Sequence, residues 1–235
     1  MINLLKAVEF KIPDDNILQQ KSNSLRIINS LCASEIRFPL SYLFFLNSVG
    51  RYIADAFLIE LNDKFFFIAT ESVLNNLINH LKSMDIRKQM QFSFSNLFVY
   101  QIVSNFSSND DICVFKDPFE IGNLVVSKHP LILHQEIDFA QEKKLYLNSR
   151  IQKEIAIFDD FELARSVVPE YGLVSKFISY NKGRYLGQEL MQRVRTQGMV
   201  RKTEKCLHSN RIDDNSNVLQ VLSENDNHCL ALVKI

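Results

Sequence analysis

The sequence has no tryptophan, only six glycines and five prolines, and no excess charge of either sign, with lysine plus arginine and aspartate plus glutamate at 27 each. That balance removes any whole-chain field drawing the protein to nucleic acid or a membrane surface, so such attraction must be local. No uninterrupted apolar run approaches the roughly 20 residues of a bilayer span. The opening residues pair a short apolar stretch with early acids and lack a small-residue cleavage pattern, which argues against a secretory signal or transit peptide. Cys32, Cys113, Cys206 and Cys229 form no Cys-x-x-Cys pair and read as reduced thiols rather than a disulfide framework. Neither Cys206 with His208 nor His228 with Cys229 has zinc-site spacing. The expectation is a cytoplasmic chain with neither a membrane anchor nor a metal.

What is present suits a folded core: 235 residues, 46% hydrophobic and 23% charged, enough for one large domain or two small ones. Tyr52 to Leu61 is rich in strand-favouring residues, Asn62-Asp63-Lys64 marks a turn, and Phe65 to Ala69 is a second apolar run, so the pair reads as a hairpin. Val73, Leu74, Leu77, Ile78, Leu81 and Met84 then follow helical spacing, with Thr70 or Ser72 as cap. Alternation returns at Gln91 to Ser95, and Leu97 to Val103 supplies another strand. Short strand candidates follow at Ile112 to Phe115 and Leu124 to Val126, with a helix expected from about Asp138 to Ile157. Two more strands are expected at Val218 to Leu222 and Cys229 to Val233. This order is α+β.

The richest segment runs from Asn181 to Lys202. Gly183 and Gly187 permit tight turns and close backbone approach, while Leu186, Leu190, Met191 and Val194 share a helical face that begins at Gln188-Glu189. A helix start beside Lys182 and Arg184 suits an anionic or carboxylate-bearing ligand.

Lys182, Gly183, Tyr185, Gly187, Gln188 and Glu189 resemble the Lys-Gly-Cys-Tyr-x-Gly-Gln-Glu signature of the YgfZ-like folate-binding proteins, relatives of the glycine-cleavage aminomethyltransferase. Gly198 to Lys202 is similar to the tail of that signature, and Leu43 to Phe57 is similar to the family's Leu-Phe-Leu-Asn-Pro-x-Gly-Arg segment. Arg184 stands at the signature's cysteine. The resemblance implies an aminomethyltransferase-like fold over residues 1–200, with two subdomains divided near 105–115, and a shortened C-terminal β segment at 201–235. It implies tetrahydrofolate or a derivative as ligand, and iron-sulfur client or assembly proteins as partners, with indirect effects on tRNA modification.

A reduced folate asks for a buried carboxylate at its pterin edge, aromatic walls and cations for its tail. Glu170 is the candidate pterin contact and Tyr185 a stacking or bonding partner. Lys182, Arg184 and Arg87 are candidates for the tail carboxylates. Asp55 interrupts an apolar strand and is either a pocket residue or an outward-facing one. A folate-dependent aminomethyltransferase or demethylase is the alternative, weakened by Ala54 where those enzymes carry a second acid. A third reading takes Lys182, Arg184, Arg193, Arg195, Arg201, Lys202 and Lys205 as a nucleic-acid patch, which the neutral chain disfavours.

Overall fold

The computed structural model describes residues 5–14, 16–131, 138–157, 174–198, 202–209 and 217–234. Three antiparallel sheets carry them. The largest has the order β2-β3-β4-β1-β5, formed by β1 (Lys6–Lys11), β2 (Leu40–Leu46), β3 (Tyr52–Leu61), β4 (Lys64–Ala69) and β5 (Gln91–Phe94). The second has the order β6-β8-β7, from β6 (Phe98–Ile102), β7 (Ile112–Lys116) and β8 (Asn123–Ser127). The third has the order β10-β11-β9, from β9 (Lys202–His208), β10 (Val218–Glu224) and β11 (His228–Lys234). Four helices accompany them: α1 (Ile17–Leu31), α2 (Glu71–Met84), α3 (Phe139–Gln152) and α4 (Gln188–Gln197).

The expected hairpin forms because Asn62 and Asp63 both take positive φ, 51° and 59°, as the tight two-residue turn between β3 and β4 requires. Strands β2 and β3 are buried almost throughout, so neither shows the alternation of a half-exposed strand. α2 packs across β3, β4 and β1, burying Val73, Leu74, Leu77, Ile78 and Leu81, the spacing expected of its apolar face. Each such side chain contributes about 1.5–3 kcal/mol when taken out of water.

α1 starts at Asn16, whose side-chain oxygen accepts the N–H groups of Leu18 (3.0 Å) and Gln19 (3.3 Å). α3 stops at Gln152, five residues before the expected end at Ile157. Glu154 adopts φ 57°, its N–H reaches the Ile151 carbonyl at 3.1 Å, and the Ile155 N–H reaches the Arg150 carbonyl at 3.0 Å. This pair of closing bonds ends a helix and turns the chain away. Ile155, Ala156 and Ile157 then pack into the core in irregular backbone. Beyond Lys205 two strands were expected, and the third sheet has those two plus β9. That sheet lies against α3, with the Arg150 guanidinium 3.1 Å from Ser223 Oγ.

Among the described residues, no helix is long and apolar enough to cross a membrane.

Candidate functional site

One face of the β2–β3 pair carries Tyr42, Phe44, Asp55 and Phe57 at directly opposed positions. Asp55 is fully buried there, so its position is inward and not the outward alternative. A strand covered on both faces leaves no solvent side for it. The Tyr52 hydroxyl donates to Asp55 Oδ1 at 2.5 Å, and the Tyr42 hydroxyl donates to Oδ2. Burial first, and then the Asp55 carboxylate, push the Tyr42 hydroxyl well above its usual range, so it remains a proton-bearing donor.

Tyr42 separates this carboxylate from a cleft of about 450 Å³. Glu35, Arg37 and Tyr42 line it from the β2 side, and Lys176, Phe177 and Tyr180 from the segment before α4. Pro118 and Arg195 also line it. The Tyr42 ring meets Phe177 edge-on at 5.6 Å, and the Arg195 guanidinium sits 4.7 Å from the Tyr180 ring. Arg37 pairs with Glu35 at 2.5 Å on the exposed rim. Among the described residues the cleft therefore offers aromatic walls, the cations Lys176 and Arg195 beside the Arg37–Glu35 pair, and a buried carboxylate one hydroxyl away.

The signature lies beside this cleft and does not line it. Lys182 turns inward: its ammonium donates to the Cys32 carbonyl at 2.9 Å and the Ser34 carbonyl at 2.8 Å, and lies 3.4 Å from Cys32 Sγ. Burial lowers the Lys182 pKa and raises that of the Cys32 thiol, and each group opposes the other's shift. With the Ser179 N–H to Ala33 carbonyl bond at 2.8 Å, Lys182 fastens the cleft-lining segment to the chain between α1 and β2. The thiol beside Lys182 is that of Cys32.

Gly187 takes φ 81° at the start of α4, and a Cβ there would meet Asn47 O at 2.7 Å and Gly50 Cα at 2.8 Å. Gly50, at φ 76°, would in turn meet Leu190 Cβ at 2.6 Å. The two segments that carry the resemblance therefore touch through opposed glycines. Gly183 is different: nothing lies within 4 Å of a Cβ built there, so its expected role in close approach has no protein partner.

Tyr185 is buried, with the Lys182 ammonium 5.5 Å from its ring centre, and its hydroxyl is enclosed without a hydrogen-bond partner. Gln188 is half-buried in the first turn of α4, while Glu189 is exposed and pairs with Arg193 at 2.9 Å. Arg184 is exposed outside the cleft lining. Arg87 is exposed on the turn from α2 to β5. That is the sheet edge opposite β2, about 19 Å away at ordinary strand spacing, so it is not brought to the cleft. Glu170 lies outside the described residues. With Lys182 turned inward and Arg193 paired, the described residues of the basic segment do not form one continuous patch; Arg201 lies outside them.

Sequence reading missed Tyr42, Tyr52, Arg37, Lys176, Tyr180 and Arg195 as site residues, having placed Arg195 only in the basic patch. A signal existed for the first: Tyr42 and Asp55 are the polar chemistry inside two apolar runs joined by a short turn.

No protein-family model matches the chain, and no curated protein matches its sequence. Among solved structures it is similar to the glycine cleavage system aminomethyltransferase T from Bartonella henselae. The TM-score is 0.61 at 11% identity, covering 99% of this chain and 77% of that one. The chain has the aminomethyltransferase T fold, α+β with antiparallel sheets, as the sequence led us to expect.

Proposed function

We propose that this protein binds a reduced folate in the cleft beside Tyr42 and acts as a folate-binding accessory factor in iron-sulfur cluster assembly or repair. The observation that carries the folate reading is the cleft itself, walled by Tyr42, Phe177 and Tyr180 and bordered by Lys176 and Arg195. Its volume lies within the usual range of small-molecule sites. The residues fit the group: Tyr42, Phe177 and Tyr180 give the cleft aromatic walls for a flat ring, and Lys176 and Arg195 offer charge to tail carboxylates. The iron-sulfur part of the reading is supported by the signature resemblance alone.

The fold likeness to an aminomethyltransferase favours a second reading, transfer of a one-carbon unit to the folate. Against it, both oxygens of Asp55 are already engaged by tyrosines and Tyr42 stands between that acid and the cleft. A positioned base needs a path to the proton it takes.

Anaerobic calorimetry with tetrahydrofolate and 5-formyltetrahydrofolate tests the binding. Saturable binding that weakens in Tyr42→Phe and Arg195→Ala is expected; a folded sample with no binding would sink the reading. One-carbon-loaded folate appearing on incubation with an aminomethylated donor would favour the transferase. Falling activity of iron-sulfur enzymes in cells deprived of the chain is the outcome expected of the accessory role.

A further inference from the structure

The turn between β7 and β8 supplies Pro118 to the cleft wall, and it is built around a carboxylate that is only 3% exposed, Asp117. Asp117 Oδ1 accepts the Phe119 N–H at 2.8 Å and Oδ2 accepts the Tyr146 hydroxyl at 3.1 Å. The Tyr146 oxygen in turn accepts the Gln101 side-chain amide at 2.6 Å. One side chain thus ties the turn to α3 and, through it, to β6. The turn also closes on itself, with the Asp117 N–H on the Gly122 carbonyl at 3.0 Å and the Glu120 N–H on the Asp117 carbonyl at 2.9 Å. The two residues held this way face the site. Pro118 lines the cleft, and the Phe119 ring meets Tyr42 at 4.7 Å and Phe177 at 5.1 Å, edge-on in both cases.

We propose that Asp117 is a positioning residue for the cleft: its carboxylate sets the Pro118–Phe119 wall against Tyr42 and Phe177, and ligand affinity follows its state of ionisation. The proposal rests on the reading that this cleft binds the ligand. An ionised carboxylate accepts the Phe119 and Tyr146 donors more strongly than a neutral acid does, so protonation slackens the wall. Burial raises the Asp117 pKa to about 6, opposed by the Phe119 N–H, the Tyr146 hydroxyl and the Lys153 charge, which brings the change within reach of mild acid.

Among the described residues, few other groups compete for that proton. From α3 come Tyr146 and Lys153, whose ammonium donates to the Glu120 carbonyl at 2.8 Å. One turn to either side of Tyr146, Glu142 is engaged with Val103 and Ser104, and Arg150 with Ser223. β2 brings Tyr42, β6 brings the neutral Gln101, and Lys116 and Glu120 flank Asp117 in sequence but are exposed.

The test is an NMR titration of the full chain with tetrahydrofolate affinities measured over the same span, about pH 5 to 8, for the wild type and Asp117→Asn. In the wild type the Phe119 amide and the Tyr42 and Phe177 ring signals should move together with one midpoint, and affinity should weaken roughly threefold or more toward acid. In Asp117→Asn both changes should vanish. A Phe119 amide that titrates while the two rings stay still would overturn the positioning role, as would superimposable affinity profiles. Complete absence of binding would remove the proposed ligand, yet the ring signals would still decide whether Asp117 sets the wall. Should Asp117→Asn fail to fold, Tyr146→Phe serves: loss of that donor should move the midpoint upward, and an unmoved midpoint counts against the proposal.

Discussion

Replacing Asp117 with asparagine should change the pH dependence of stability in a direction opposite to that of an ordinary salt-bridged carboxylate. Burial raises the Asp117 pKa from 3.8 to about 6. The folded chain therefore holds this proton over a range in which the unfolded chain has released it. Stability from this group is fully present below the unfolded value and is lost as pH rises through about 6. Two pK units at 1.36 kcal/mol each make about 3 kcal/mol. Asparagine keeps an oxygen for the Phe119 N–H and carries no titrating proton. The difference in unfolding free energy, variant minus wild type, should thus grow by about 3 kcal/mol between pH 4 and pH 7.5. Urea unfolding at matched ionic strength across that range measures it directly. A difference that stays level with pH, or shrinks as pH rises, would refute the reasoning, because it would mean that the folded state holds the carboxylate as comfortably as water does.

The glycines of the signature should separate cleanly: Gly187→Ala is expected to cost about 2–5 kcal/mol, from a left-handed φ and backbone contacts that cannot yield, whereas Gly183→Ala should be nearly neutral. Thermal unfolding of the two variants side by side checks this, and equal losses would contradict it. Lys182→Ala should lower stability by about 1–3 kcal/mol or more by leaving the Cys32 and Ser34 carbonyls without their donor. Its calorimetric affinity for tetrahydrofolate, corrected for the folded fraction, should fall less than that of Arg195→Ala, because Lys182 acts on the cleft only through the segment it fastens; a loss as large as that of Arg195→Ala would restore Lys182 as a ligand contact. Tyr185→Phe should be neutral or stabilising by about 1 kcal/mol, since the hydroxyl it removes is enclosed without a partner. A large loss of stability in that variant would reveal a bonded water or ligand at that oxygen.

Legibility in the sequence followed how much of each element's burial is one-sided. The β3–β4 hairpin and α2 were readable because a two-residue Asn-Asp turn and a regular apolar stripe each have one physical interpretation. α1 escaped notice because the residues it fully buries are only Ser24 and Ile28, with Ser24 Oγ accepting the Ile12 N–H at 3.0 Å. Its apolar stripe, carried by Leu25, Ile28 and Leu31, is broken in the first turns by Lys21 and Ser24. β2 is buried on both faces and shows no alternation, and β9 encloses Glu204 in a run that looks like a charged tail. The premature end of α3 depends on Glu154 adopting a left-handed φ, which favours glycine or asparagine and leaves no mark when another residue does it.

The signature was legible as a string but not as a position. Its glycines, tyrosine and lysine suggested a ligand cradle, yet most of that chemistry is spent inward: Gly187 against Gly50, Lys182 on two carbonyls, Tyr185 in the core. The residues that line the cleft come just before the signature, at Lys176 to Asn181, and one turn after its helix begins to expose its far side, at Arg195. Under the folate-binding proposal, a motif placed this way acts on a ligand through the wall it fixes. Arg184, at the signature's cysteine position, is consistent with that division, for an exposed side chain outside the cleft can change without disturbing either the glycine contact or the Lys182 clasp. Tyr42 left only a faint mark in the sequence and Asp117 none, because each is defined by what it meets across the fold.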